Sequence, residues 1–245
     1  MIALVTGSSR GVGAETARLL AARGAHVYLN YRDKLRRAEA VREEITSAGG
    51  QATLVQADLT VPADVAGLAE RIRAAHGRLD LLVLNASGGL ERDVAPDYAL
   101  RLNRDAQLAV LDAALPLLGP GTRVVYNTSH QAHFHHTNPI HDDYTPVAAS
   151  KRAGEDALRA RLAELTARDI TLVVVSGDMI EGTITPTLLE RITPGTIEAR
   201  RAKAGQLPTV AEFAAEVVTA ATAPLPTGHT VYVGGEDLVA AGQAG

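Results

Sequence analysis

The sequence has 245 residues, 46% of them apolar and 21% charged, an ordinary globular composition that excludes a largely disordered chain. A net charge of −4 with no cluster of Lys and Arg among aromatics excludes a dedicated nucleic-acid surface, and the lack of cysteine excludes disulfides, thiolate nucleophiles and cysteine-ligated metals. No apolar run reaches the ~18 residues of a membrane-spanning helix, and the opening Met1-Ile2-Ala3-Leu4-Val5 lacks the basic start of a secretory signal, so a cytoplasmic protein without a membrane partner is expected.

Along the chain, β-rich runs at 2–6, 25–30, 51–56, 79–85, 122–128, 170–175 and 230–233 predict strands. Ala-, Leu-, Glu- and Arg-rich segments at 14–23, 35–48, 62–76, 97–118, 147–167 and 209–222 carry helical periodicity. Runs such as Leu81-Leu82-Val83-Leu84 and Leu172-Val173-Val174-Val175 are apolar without alternation, as in strands covered on both faces. Right-handed crossovers between them predict one α/β domain over 1–245, with a doubly wound, mostly parallel seven-stranded sheet of Rossmann type. Arg36 and Arg37 read as a solvated helix face.

The first strand runs directly into Thr6-Gly7-Ser8-Ser9-Arg10-Gly11-Val12-Gly13 and then a helix. Glycines there allow a tight turn and close approach of a pyrophosphate, and the unpaired amides at the helix start attract its charge. A Cβ at these positions is expected to obstruct the ligand. At the end of the second strand, Asn30, Tyr31 and Arg32 carry no acid to hold ribose hydroxyls. Arg10 and Arg32 suit a 2′-phosphate, because planar guanidinium groups match phosphate oxygens, and NADP(H) is therefore the expected cofactor. Asp33 reaching the ribose is the alternative, which would admit NAD(H).

The spacing Thr-Gly-x-x-x-Gly-x-Gly resembles the short-chain dehydrogenase/reductase family, and the resemblance extends over nearly the whole chain. It implies contacts to the cofactor from Gly7, Ser9, Arg10, Gly11, Val12 and Gly13. It further implies an adenine contact from Asp58-Leu59 and a supporting turn at Asn85-Ala86-Ser87, where serine replaces the usual glycine. Ile180 and Thr183, in Ser176-Gly177-Asp178-Met179-Ile180-Glu181-Gly182-Thr183, fall beside the expected carboxamide, and the stretch 177–208 falls where the family has its substrate lid. The resemblance implies NADP(H)-dependent hydride transfer on a carbonyl or alcohol of a small molecule, and assembly into homodimers or homotetramers, to which the apolar strand at 230–233 is suited.

The catalytic segment departs from that pattern. Asn103, Ser129 and Lys151 match three of the family's four catalytic positions, with Lys151 also holding the cofactor ribose, but the residue four before the lysine is Val147. The nearest upstream tyrosine is Tyr144, in a Tyr-x6-Lys spacing similar to divergent enoyl reductases of the same superfamily. Offsets of four and seven return to nearly the same helix face but differ in rise, about 6 Å against about 10.5 Å. Tyr144 must therefore fold back if it is the proton donor, with Thr145 as N-cap and Pro146 first in the helix. Packing beside the helix start is its other reading. Five of eight histidines, His130, His133, His135, His136 and His141, lie between Ser129 and Tyr144. A polar lid is the expected explanation, a substitute acid or a zinc site the alternatives; no metal is assigned. An enoyl-type reductase and a non-catalytic NADP(H) sensor remain the competing functions.

Overall fold

The computed structural model describes residues 1–91, 94–138 and 140–244. Seven strands, β1 (Ile2–Val5), β2 (His26–Tyr31), β3 (Gln51–Gln56), β4 (Leu79–Leu84), β5 (Leu118–Ser129), β6 (Thr171–Gly177) and β7 (Thr230–Val233), form one sheet in the order β3-β2-β1-β4-β5-β6-β7. Every adjacent pair is parallel. The crossover helices are α1 (Gly11–Ala22), α2 (Leu35–Ser47), α3 (Pro62–His76), α4 (Tyr98–Leu100), α5 (Ala106–Ala114), α6 (His130–His133), α7 (Thr145–Arg159), α8 (Leu162–Ala167), α9 (Ile184–Ile192), α10 (Thr196–Ala204) and α11 (Val210–Thr222), with α12 (Glu236–Ala244) last.

Strand residues alternate between two cores, so both positions of the period must be apolar. Ala3, Val5, Val27, Leu29, Val83, Val173 and Val175 join the cluster that includes buried residues of α1, α2 and α11. Their neighbours Leu4, Tyr28, Leu82, Leu84, Val124 and Val174 join the one built with α3, α5 and α7. The continuous apolar runs in the sequence are thus two interleaved faces. Sequence order reverses between β1 and β4, and the cleft opens past the carboxyl ends of these strands.

Three expected elements differ in detail. The helix expected over 97–118 is α4 and α5 joined by a π-helical turn, Arg101–Asp105. Its wider turn meets α7 at Gly154, where a Cβ would lie 2.0 Å from the Asn103 carbonyl oxygen. The helix expected over 147–167 divides into α7 and α8. Strand β5 begins before Gly119-Pro120-Gly121, so that Leu79 pairs with Leu118 and Leu81 with Arg123, the intervening residues bulging outward. Helices α6 and α12 were not expected.

Candidate functional site

A cleft of about 650 Å³ runs along the carboxyl ends of the strands. At its centre the glycine turn is held by side chains from three strand ends. The Thr6 hydroxyl oxygen accepts the amides of Asn85 (2.8 Å) and Ala86 (3.0 Å), and the Asn30 side chain accepts the Gly7 amide (3.1 Å) while donating to Ala57 O (3.2 Å). Asn85 donates to Thr6 O and accepts from Asn127. The glycines serve this packing. A Cβ on Gly7 would stand 2.9 Å from Ala86 Cα, and one on Gly13 2.6 Å from Gly7 O, so the protein's own packing already forbids them. Gly11 is the exception: open space surrounds its missing Cβ, and its φ of +56° makes the demand.

The first helical bond of α1 runs from the Ala14 amide to Arg10 O (3.3 Å), leaving the preceding amides facing the cleft in the manner of an anion site. Arg10, Arg32, Lys34 and Arg37 line this end together with Asp33. Arg37, in the first turn of α2, is exposed as its sequence pattern predicts and lies at the rim of the cleft. Asp58 also lines the cleft, with Oδ1 taken by the Thr60 amide (2.9 Å) and hydroxyl (2.7 Å). Every cofactor position expected from sequence, from Gly7 to Thr183, lines this one cleft.

Ser129, Tyr144 and Lys151 line its other end. Helix α7 starts at Thr145, whose hydroxyl donates to His141 O (3.3 Å); Tyr144 itself is the N-cap residue, not Thr145 as expected. A 3-10 turn, Asp142–Tyr144, precedes it, and the Tyr144 ring folds back into an apolar cluster with Ala132, Val147, Ala148 and Leu189. Its hydroxyl lies 3.2 Å from Ser129 Oγ. Val147 is buried in the same cluster and offers no hydroxyl. Burial pushes the Tyr144 phenol above its ordinary range, opposed by the Ser129 hydrogen bond, so the phenol is protonated at neutral pH. Burial pulls the Lys151 amine down to about 8, with Glu155 one turn along acting to raise it.

Asn103 stands apart from the cleft lining. Its side-chain amide donates to Gly88 O (2.8 Å) and Ser150 Oγ (2.9 Å), and its side-chain oxygen accepts the Gly88 amide (3.2 Å). It ties the π-helical turn to α7 beside Lys151, a bracing arrangement.

The histidines do not form a lid. His130 is buried, its Nε2 donating to Gly234 O (2.8 Å) and its Nδ1 paired with Ser176 Oγ (2.8 Å). Both ring nitrogens are engaged, and burial lowers its pKa, so it is a neutral strut. His133 pairs with the buried Glu155 carboxylate (2.8 Å), which Arg159 also meets (2.8 Å), and its other nitrogen contacts the Tyr232 hydroxyl (3.1 Å). The His130 ring is tilted and the His133 ring edge-on against Phe134 and Tyr232, which stack on each other, a cluster that no pattern in the sequence announced. Among the described residues, no three His, Asp or Glu side chains converge to hold a metal ion.

The expected lid is α9 and α10. Leu189, Met179, Ile184 and Pro186, interleaved with Thr183, Thr185 and Thr187, give the cleft an uncharged wall there. Arg200 of α10 fixes it, donating to Asp178 at the end of β6 (2.8 and 3.0 Å) and to Asp237 of α12 (2.7 and 2.8 Å).

The profile of the short chain dehydrogenase family matches residues 1–192. An uncharacterized oxidoreductase of Methylorubrum extorquens is 36% identical over 197 residues, 75% of each chain. The hydroxynaphthalene reductase arp2 of Aspergillus fumigatus is 38% identical over 134 residues, 52% of this chain and 49% of that protein, so the match spans about half of that relative. A solved short chain dehydrogenase of Burkholderia cenocepacia in complex with NADP superposes with a TM-score of 0.80 at 30% identity, covering 94% of this chain and 95% of that one.

Proposed function

The chain belongs to the short-chain dehydrogenase family, and from that premise we propose that it is an NADP(H)-dependent reductase of small, uncharged, apolar carbonyl compounds, with Tyr144 as proton donor. The observation that carries this reading is the Tyr144 hydroxyl 3.2 Å from Ser129 Oγ in a cleft that Lys151 also lines.

The residues present fit the dinucleotide. Arg32 follows β2 and Ser129 ends β5, three strands away in the sheet order, a separation of about 14 Å that suits an elongated ligand. The free amides at the start of α1 meet its pyrophosphate, and the cations at the β2 end meet a 2′-phosphate. When bound, the nicotinamide supplies the hydride. Ser129 orients the substrate oxygen and Tyr144, protonated because it is buried, delivers the proton to it. Two hydroxyls at this separation suit a single oxygen atom between them, which favours carbonyl over enoyl reduction. Lys151, charged below about pH 8, supports the ribose hydroxyls and attracts negative charge developing at the site. His130, with both nitrogens engaged, is not free to replace the tyrosine.

The cationic lining residues other than Lys151 cluster at the adenosine end, and the α9 wall is uncharged, with Ile184, Pro186 and Leu189 beside Thr185 and Thr187, which favours a neutral ketone as substrate. We assign the protein to the cytoplasm, where NADPH is regenerated, and to a homodimer or homotetramer, for which the β7 sheet edge with its partly exposed Val231 and Tyr232 is suited. NADPH oxidation in the presence of tetralone, a fused-ring ketone, tests the reading. Turnover that needs both components supports it; binding of NADPH without turnover of any ketone in a panel of such rings identifies a non-catalytic binder.

A further inference from the structure

Arg32 does not stand free at the adenosine end of the cleft. It leaves the end of β2 with its backbone carbonyl accepting from Gln56 (3.0 Å), and its guanidinium reaches Tyr98 of α4, 66 positions along the chain. There the guanidinium donates a hydrogen bond to the Tyr98 hydroxyl, at whose end of the ring it lies with its carbon 5.9 Å from the centroid. Both residues line the cleft. The Tyr98 ring is only 8% exposed and sits in the core cluster with Leu102, so the platform is rigid while the arginine side chain remains 46% exposed to an incoming ligand.

We propose that Tyr98 is a positioning residue for cofactor discrimination, holding the Arg32 guanidinium where it meets the 2′-phosphate of NADPH. The proposal rests on the reading of Arg32 as a phosphate ligand. The chemistry of the holder matters. The exposed Asp33 carboxylate, 3.8 Å from the same guanidinium, offsets part of its charge, whereas the phenol accepts a hydrogen bond and adds no charge of its own. Burial keeps the Tyr98 phenol above its ordinary pKa, hence neutral. Ordering a long side chain during binding weakens affinity about twofold to tenfold, and a side chain already ordered avoids that loss. The benefit is confined to the cofactor carrying the extra phosphate.

The experiment is calorimetric titration of the wild type, Tyr98→Phe, Arg32→Ala and the double variant with NADPH and with NADH. Tyr98→Phe keeps the ring and removes the acceptor. It is expected to weaken NADPH about twofold to tenfold and to leave NADH within about twofold, which also reports an intact fold. In the Arg32→Ala background the same change is expected to have no further effect on NADPH, since Tyr98 acts through the arginine. Unchanged NADPH affinity in Tyr98→Phe, equal weakening of both cofactors, or a loss that persists without Arg32 overturns the positioning role alone. A wild type that binds both cofactors alike overturns the phosphate reading and the proposal with it.

Discussion

Lys151 is held in the fold at a cost. Its amine is buried, its pKa falls from 10.5 to about 8, and the charged form at neutral pH is what the proposed chemistry uses. Because the folded-state pKa lies below the unfolded one, the penalty is fully present below pH 8 and is relieved as pH rises from 8 toward 10.5. Lys151→Met is therefore expected to raise the stability at pH 7 by on the order of 3 kcal/mol, while abolishing turnover. Thermal unfolding of both proteins from pH 7 to 10 checks it: the gap between them narrows with rising pH, and a variant less stable than the wild type at pH 7 contradicts the assignment. Loss of the same charge predicts that kcat/KM declines above about pH 8, shifted by whatever the bound cofactor adds to the local field.

At the scale of elements, α7 and the π-helical turn before α5 are locked face to face, and Gly154 is the contact. In an ordinary helix interior Gly→Ala gains about 1 kcal/mol from propensity. Here the added Cβ would lie 2.0 Å from a backbone carbonyl that cannot swing aside, and overpacking costs roughly 1–3 kcal/mol or more. Gly154→Ala is expected to lower the melting temperature despite its better propensity; an increase would show that the turn yields. The central strands were legible in the sequence because runs such as Leu81–Leu84 and Leu172–Val175 are apolar without alternation, and the glycine turn because its spacing is tied to a strand and a helix. The π-helical turn was not legible, since its cause is a tertiary contact between Asn103 and Gly154. For the same reason the histidine run reads as a lid in the sequence, although His130 and His133 find their partners on β6, α7 and the segment around β7.

Across the whole molecule, α10, the central sheet and the last helix meet at one cation. Arg200 of α10 shares its Nε–H between the two oxygens of Asp178 after β6 and makes a two-pronged contact with Asp237 of α12, and the Asp178 side chain is almost fully buried. Removing one partner of a buried ion pair costs about 3–5 kcal/mol because the other charge stays behind. Arg200→Ala is expected to fall near the lower end, since Asp237 is partly solvated, and to raise KM as α10 loses its anchor. Arg200→Lys is expected to rescue little, because a single ammonium cannot reproduce a guanidinium that directs three N–H groups, on Nε and both terminal nitrogens, at two carboxylates. Unfolding curves with KM for the same ketone decide this; unchanged values in Arg200→Ala contradict the anchor.

The central claim is that a tyrosine seven positions before the lysine, not four, delivers the proton, folded back by the turn at Asp142–Tyr144. The most direct measurement is kcat for NADPH-dependent reduction of tetralone by Tyr144→Phe beside the wild type, with the NADPH dissociation constant of each. The account predicts a fall of about 10²–10⁴-fold in kcat with NADPH affinity unchanged; a Tyr144→Phe protein that turns over at the wild-type rate would contradict it.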